Sequence, residues 1–261
     1  MLDQEPAYFN LGLSSDQDQT KRNYFSMFPE EIVASVLDAF IINKPMTGSA
    51  GGDGFWVHQA GSDLYLSLFD CMGHGHLASM MTRIYTKYLD KIVKEEGVTD
   101  PGTILRYLHH QLMSKFKEKS NKQMGPAADV GLIKVNLEVR KLEFSGAKMG
   151  LIQYEDKKLT EIKASRFQIG DMYEYPHDYK TSSVELKPDV PSHIYLMSDG
   201  FKDLMGGFDG KKLSPKGVHR ILANIQDQPI VKQKESVLSE IKDWQGSTPQ
   251  YDDILILGFA V

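Results

Sequence analysis

Apolar residues recur with helical spacing in several long stretches of the chain. The clearest stretch runs through Leu77, Met81, Ile84, Tyr88 and Ile92, where intervals of four, three, four and four residues place the side chains on one helix face. Together with helix-start and turn signals, this pattern predicts helices at about 29–40, 77–92, 103–119, 214–224 and 233–244.

The middle of the chain has a different pattern, with short runs of strand-forming residues separated by turns. Phe55–Val57 and Leu64–Phe69 flank a turn at Gly61–Asp63 and predict a β-hairpin. Further strands are predicted at 130–135, 141–145, 151–154, 158–162, 183–186, 193–198 and 254–261. The connections within the middle group are too short for crossover helices, so we expect mainly antiparallel pairing.

These elements predict a layered α+β fold, with helices outside an antiparallel β core. Residues 1–25 are polar and rich in Asp, Gln and Ser, and we interpret them as an arm or linker. No boundary is visible within residues 26–261, which are therefore predicted to form one domain.

Charge and cysteine content narrow the function classes. The net charge is −5, and the short basic patches are interrupted by acids, which disfavours a nucleic-acid-binding protein. The single cysteine excludes an intramolecular disulfide and a thiolate zinc cluster. The first residues lack signal-peptide character, and no apolar run approaches the roughly 18–20 residues that span a bilayer. We expect a cytoplasmic protein.

Acidic residues stand where predicted strands meet turns. Asp53 follows two glycines, Asp70 ends a strand, Asp199 ends another, and Asp252 and Asp253 begin the last one. An aspartate at the end of a buried strand is unfavourable unless it is paired or bound to metal. Several that converge would repel one another, and divalent cations such as Mg²⁺ or Mn²⁺ would relieve the repulsion. Taken singly, each is also explained as an ordinary turn or capping residue.

The order of these motifs resembles that of the SpoIIE/RsbU-type bacterial serine/threonine phosphatases, members of the PP2C-like (PPM) superfamily. The resemblance covers about residues 26–261. Four segments carry it in sequence: Gly51–Asp53, Asp70–Ser79, Ser198–Gly200 and Asp252–Ile254. It implies an antiparallel β-sandwich flanked by helices, with two Mn²⁺ or Mg²⁺ ions at one end.

The resemblance also implies roles for individual residues. Asp53 and Asp70 would be metal ligands, with Asp70 bridging both ions, and Cys71 would contribute its backbone carbonyl. Asp199 and Asp252 would complete the shell of the second ion. A water activated by the two metals would then attack the phosphorus of a phosphoserine or phosphothreonine in line.

Partners follow from the same resemblance. Relatives commonly dephosphorylate a STAS-domain anti-sigma-factor antagonist in a partner-switching pathway, which makes such a phosphoprotein the expected substrate. Helices flanking the site can regulate metal binding and mediate homodimerisation in this family. The helix predicted at 29–40 leads toward Asp53 and is the candidate for both roles.

The sequence departs from the family pattern at two points. Gly54 stands between Asp53 and Phe55, whereas the family usually has an aromatic residue directly after this aspartate. The arginine that grips the substrate phosphate in eukaryotic relatives has no counterpart that we can place. Phosphate would then be held mainly by the metals.

Three further residues have more than one interpretation. His74 lies between two glycines and is either a general acid or a structural residue of the turn. Asp129 is either a strand cap or a ligand of a third, weaker ion. Asp253 is expected to support Asp252 rather than to bind metal itself.

Other mechanisms fit the sequence less well. A cysteine phosphatase built on Cys71 would need an arginine six positions later, where Leu77 stands, and no Gly-Lys-Ser/Thr segment of a nucleoside triphosphatase is present. A catalytically weak PP2C-like regulatory or binding module stays open as the alternative to an active phosphatase.

Overall fold

The computed structural model describes residues 21–22, 24–28, 30–48, 50–73, 75–117, 126–136, 138–171, 178–187 and 189–261. The helices are α1 (Glu30–Val36), α2 (Gly75–Asp90, continued by a π-helical turn at Lys91–Glu95), α3 (Pro101–Lys117), α4 (Asp199–Lys202), α5 (Ser214–Ile225) and α6 (Ile230–Gln245). Within the described part of the chain, none of them is long and apolar enough to cross a membrane.

The strands form two five-stranded sheets and a short hairpin. They are β1 (Asp38–Lys44), β2 (Asp53–Ala60), β3 (Asp63–Cys71), β4 (Ala128–Asn136), β5 (Lys141–Ala147), β6 (Leu151–Glu155), β7 (Lys158–Ile162), β8 (Ser182–Val184), β9 (Ser192–Met197), β10 (Met205–Gly206), β11 (Lys211–Lys212) and β12 (Ile254–Ala260). The first sheet has the order β1-β12-β9-β6-β7, and the second sheet has the order β2-β3-β4-β5-β8. The strands pair antiparallel, as the short connections predicted.

The two sheets pack face to face, and helices cover their outer faces. In β12, Leu255, Leu257 and Phe259 enter the core between the sheets, whereas Ile254 and Ile256 pack in a second apolar cluster with α5 and α6. This alternation follows from the two-residue period of a strand. Helices α2 and α3 cover the second sheet. The predicted α+β fold, an antiparallel sandwich flanked by helices, is therefore confirmed.

The helix predicted at 29–40 is wrong in its second half. The helix ends at Val36, and Asp38–Lys44 forms an edge strand of the first sheet, paired with β12. Phe40 lies opposite Gly258, where its ring occupies the space that a side chain would need. Pairing with a strand at the other end of the chain overrides the local helical pattern.

The amino-terminal segment, described at residues 21–22 and 24–28, contacts the core ahead of α1. Tyr24 is 2% exposed and its ring meets Phe28 edge-to-face at 5.0 Å. Phe28 in turn stacks on Phe55 at 5.1 Å. This segment includes Tyr24, inside the predicted arm of residues 1–25, while residues 1–20 lie outside the described part of the chain.

Candidate metal centre

Strand register brings aspartates from distant parts of the sequence to one end of the sandwich. In the second sheet, Asp53 of β2 lies opposite Asp70 of β3, and Asp70 lies opposite Asp129 of β4. In the first sheet, Asp199 directly follows Ser198 at the end of β9, and Asp252 precedes β12, the neighbour of β9. Both sheets therefore present carboxylates at the same end.

Four of these carboxylates line one cavity. Asp70, Asp129, Asp199 and Asp252 surround a space of about 330 Å³, which is also lined by Met72, Gly73, Gln168 and Tyr251. We call it the acidic cavity. Three of the four predicted ligands, Asp70, Asp199 and Asp252, therefore line the acidic cavity. The fourth, Asp53, does not line it, and Asp129 does.

Asp53 lies behind the acidic cavity and is held by hydrogen bonds. Its side chain is 1% exposed, and the Ser198 hydroxyl donates to Asp53 Oδ2 at 2.6 Å. The Tyr24 hydroxyl donates to the Asp53 backbone carbonyl. Burial raises the pKa of Asp53 well above its usual value, the charge of Asp70 raises it further, and the Ser198 hydrogen bond opposes both.

Charges from both sheets act on the Asp70 carboxylate. Burial raises the pKa of Asp70 to about 8, with further contributions from Asp199, Asp252 and Asp129. Burial also raises the pKa of Asp252 and that of Asp129, and in both cases Asp199 adds to the rise. The cluster is therefore electrostatically unfavourable when ionised, and positive charge in the cavity would stabilise it.

The donor set fits hard divalent cations. The acidic cavity offers carboxylate oxygens from four residues, which suits Mg²⁺ or Mn²⁺. Within the described residues, no three His, Cys, Asp or Glu side chains are arranged closely enough to hold one ion as they stand. Binding would therefore draw the carboxylates together by side-chain rotation about fixed strand ends.

Backbone packing fixes the loops that carry these aspartates. Asp253 is 2% exposed, and its carboxylate accepts hydrogen bonds from the backbone N–H groups of Met46 and Gly52, each at 2.6 Å. At Gly52, an added Cβ would lie 2.4 Å from the Cys71 carbonyl oxygen. Asp253 thus ties the loop before β2 to the start of β12.

Cys71 is buried against the site and does not carry a reactive thiol. It is 1% exposed, and burial raises the pKa of the thiol well above its usual value, so the neutral form predominates. This environment is unfavourable for a thiolate nucleophile. His74 lies outside the described residues, so both interpretations of it stay predictions.

The glycine that interrupts the family pattern after Asp53 has a steric reason. A Cβ at Gly54 would lie 2.4 Å from the ring of Phe69 and 3.0 Å from the ring of Phe28. Phe28 belongs to the amino-terminal segment, which thereby fills the space beside Asp53. Only glycine leaves room for the rings of Phe69 and Phe28 to pack this close to the backbone at position 54.

Several residues of the site were missed or undervalued from the sequence. Gln168 donates to Asp129 Oδ1 at 2.8 Å, and Ser198 and Tyr24 anchor Asp53. The signal for Asp129 was available, because it stands at the start of a strand that pairs with the strand of Asp70. Nothing local marks Gln168, which reaches the site from a loop.

The chain is similar to known proteins in sequence and in fold. A family model described as "Stage II sporulation protein E (SpoIIE)" matches residues 60–261. No curated protein sequence matches the chain.

Three solved structures are similar in fold. The SiaA-PP2C domain of Pseudomonas aeruginosa is 28% identical, with a TM-score of 0.84, over 94% of this chain and 96% of that chain. The phosphatase domain of SpoIIE from Bacillus subtilis, solved with a fragment of its regulatory domain, is 15% identical, with a TM-score of 0.68, over 85% of this chain and 62% of that chain. RsbX in complex with magnesium is 18% identical, with a TM-score of 0.59, over 85% of this chain and 94% of that chain.

The family match covers most of the chain, including β3 with Asp70, the α4 start at Asp199 and the segment before β12. Three of the aspartates that line the acidic cavity, Asp70, Asp199 and Asp252, stand in the motifs that carry the resemblance. This chain belongs to the SpoIIE family of PP2C-like, metal-dependent serine/threonine protein phosphatases.

Proposed function

We propose that the protein removes phosphate from a phosphoserine or phosphothreonine of a partner protein, using two Mn²⁺ or Mg²⁺ ions at the acidic cavity. The observation that carries this proposal is the convergence of Asp70, Asp129, Asp199 and Asp252, from four separate segments, on one cavity. Such a concentration of negative charge around one cavity is unfavourable without cations.

The ligands proposed for the ions are Asp53, Asp70, Asp199, Asp252 and the Cys71 carbonyl. When bound, divalent cations supply Lewis acidity and positive charge for hydrolysis of a phosphate ester by water. Asp70 would help to hold the ions from a central position, because it lies opposite Asp53 on one side and Asp129 on the other in the second sheet.

The remaining residues orient these carboxylates. Ser198 holds Asp53 by a hydrogen bond to Oδ2, and Gln168 holds Asp129 by a hydrogen bond to Oδ1. Asp253 fixes the backbone on either side of the cavity through Met46 and Gly52.

The rim of the acidic cavity suits a protein substrate. Met72 is 55% exposed and Tyr251 is 67% exposed, and both line the cavity mouth. Exposed large apolar residues beside a catalytic site favour contact with another protein surface. By resemblance to SpoIIE/RsbU-type phosphatases, a STAS-domain anti-sigma antagonist of a cytoplasmic partner-switching pathway is the leading substrate, and a homodimer is a further expected assembly.

The metal requirement is tested with a small aryl phosphate. Activity should vanish in excess EDTA and return with Mn²⁺, and Asp70→Asn should lower turnover by orders of magnitude. The exposed Asp209→Asn, on the β10–β11 hairpin, is a matched control that should stay at the wild-type rate. Full activity in EDTA would contradict the mechanism. If the folded wild-type protein binds Mn²⁺ but does not hydrolyse the aryl phosphate, the alternative of a catalytically weak regulatory or binding module would be favoured.

The substrate class is tested by comparing kcat/KM for an intact phosphoprotein, a short phosphoserine peptide and a phosphotyrosine peptide. Docking to the rim supplies binding energy only with the intact protein, which should therefore be the best substrate. Equal efficiency on peptide and protein, or a preference for phosphotyrosine, would overturn the proposal.

A further inference from the structure

A second cavity adjoins the acidic cavity and has no part in the mechanism described so far. It measures about 220 Å³, and Asp129 and Asp199 belong to the walls of both cavities. Lys148, Lys163 and Lys202 line it, so we call it the lysine cavity. A molecule bound in the acidic cavity would therefore lie next to a cavity that three lysine side chains line.

The cations of the lysine cavity are only partly neutralised. Lys202 Nζ lies 3.8 Å from Asp199 Oδ2, which is a long ion pair. Within the described residues, no carboxylate forms a salt bridge with Lys148 or Lys163. The lining Glu161 is already paired with His219 at 2.7 Å. If Asp199 binds a metal ion, Lys202 also becomes available to an anion.

Lys148 occupies a backbone conformation that is unfavourable for its residue type. Its φ is 58°, in the left-handed region, and it lies at the centre of a γ-turn in which the Met149 N–H donates to the Ala147 carbonyl at 2.8 Å. The Lys148 N–H donates to the Ser165 carbonyl at 2.7 Å, which holds the turn in place. Glycine adopts this conformation without strain, so a glycine here would remove the ammonium group and leave the turn in place.

Lys148 and Lys202 both lie near the wall that separates the two cavities. Burial raises the pKa of Asp129, and the positive charges of Lys148 and Lys202 are among the influences that lower it. Lys148 also lies beside β4, through a backbone bridge with Val130, the neighbour of Asp129. Both lysines therefore act on Asp129, which belongs to the walls of both cavities.

We propose that Lys148 and Lys202 bind the non-bridging oxygens of the substrate phosphate. They would take the place of the phosphate-binding arginine of eukaryotic relatives, which has no counterpart that we can place in this sequence. This inference rests on the proposed phosphatase function and deepens it. A phosphate monoester carries close to two negative charges at neutral pH, and charge-assisted hydrogen bonds from ammonium groups suit it. The two lysines would hold the phosphate against the acidic cavity, where its ester bond is hydrolysed.

The test uses substitutions that separate charge from backbone strain. Lys148→Gly removes the ammonium group while accepting the left-handed backbone, so its melting temperature should equal or exceed that of the wild type. Lys148→Arg keeps a positive charge, and Lys202→Met keeps the length of the side chain. Lys232→Ala, an exposed lysine of α6 paired with Glu235, is the matched control.

The test measures KM for a small aryl phosphate and the affinity for inorganic phosphate, both at saturating Mn²⁺. Lys148→Gly and Lys202→Met should each raise KM for a small aryl phosphate by about 10-fold, and should weaken binding of inorganic phosphate by a similar factor. Lys148→Arg should retain most of the affinity, and Lys232→Ala should match the wild type. The loss should be the same with an intact phosphoprotein, because the phosphate itself is the group that is bound.

Each other outcome has a defined meaning. Unchanged phosphate binding and KM in both lysine variants overturn the inference, and so does a loss confined to the phosphoprotein, which would place the lysines on the protein-docking surface. An arginine variant as weak as Lys148→Gly also contradicts it. Lysine-dependent phosphate binding in a protein without turnover would instead overturn the phosphatase function and leave the binding site standing.

Discussion

The substitution Gly200→Ala tests whether the spacing between two motif aspartates sets activity. Gly200 follows Asp199 in α4, and an added Cβ would lie 1.9 Å from the Asp253 carbonyl oxygen and 3.3 Å from Asp252 Cβ. A real Cβ keeps at least 3.0 Å from such an atom, so one backbone must move by at least 1.1 Å. The displaced segments carry Asp199 or Asp252.

The expected loss is large for activity and moderate for stability. A misplacement on the order of 1 Å in a catalytic site lowers the rate by about 100-fold, and overpacking lowers the free energy of unfolding by about 1–3 kcal/mol. Alanine has a higher helix propensity than glycine, so propensity alone would stabilise the Gly200→Ala protein. A loss of stability in this variant must therefore come from the steric displacement. Turnover of an aryl phosphate across a Mn²⁺ titration, and thermal unfolding in EDTA, measure the two effects separately.

Gly97→Ala is the control for lost stability. Gly97 has a φ of 68°, and no atom lies within 4 Å of an added Cβ. This variant should lose about 1–2 kcal/mol through backbone strain and keep its activity. Wild-type turnover and Mn²⁺ affinity in a folded Gly200→Ala protein would refute the reasoning, as would equal losses of activity in both variants.

Three further substitutions address single groups of the site. Burial raises the pKa of Asp70 to about 8 in the folded protein, so the metal-free protein loses stability as pH rises from the ordinary carboxyl range toward 8. Asp70→Asn should make this loss smaller and raise the melting temperature in EDTA at pH 8. An unchanged dependence on pH would show that Asp70 does not contribute to it. Ser198→Ala removes the hydrogen bond to Asp53, so Mn²⁺ binding measured by calorimetric titration should weaken by about 10-fold, and the free energy of unfolding should fall by about 1–2 kcal/mol. Unaltered Mn²⁺ affinity would mean that Asp53 does not need this hydrogen bond. Cys71→Ala should keep near-wild-type turnover and lose about 1 kcal/mol of stability through a small cavity, whereas a folded but inactive variant would point to thiol chemistry.

Much of the fold was predictable because local periodicity and turn chemistry act within a few residues. The hairpin of β2 and β3, helix α2 and the antiparallel middle strands all appear close to their predicted positions. The order of the motifs around Asp53, Asp70, Asp199 and Asp252 was also visible in the sequence. Their positions where strands meet turns predicted a metal site, and the resemblance that the motifs carry implied a phosphatase. These features depend on residue type and spacing alone.

Pairings between distant segments decided the rest. Residues 38–44 are a strand because β12 offers an unpaired edge, and no local pattern contains that information. The backbone N–H of Met46 donates to Asp253, 207 residues later, which turns this carboxylate away from the cavity. Register and burial likewise placed Asp129 in the acidic cavity and Asp53 behind it. The sequence determined which carboxylates were available, and only the tertiary structure decided which of them face the cavity, because that depends on strand register and on groups buried from elsewhere in the chain.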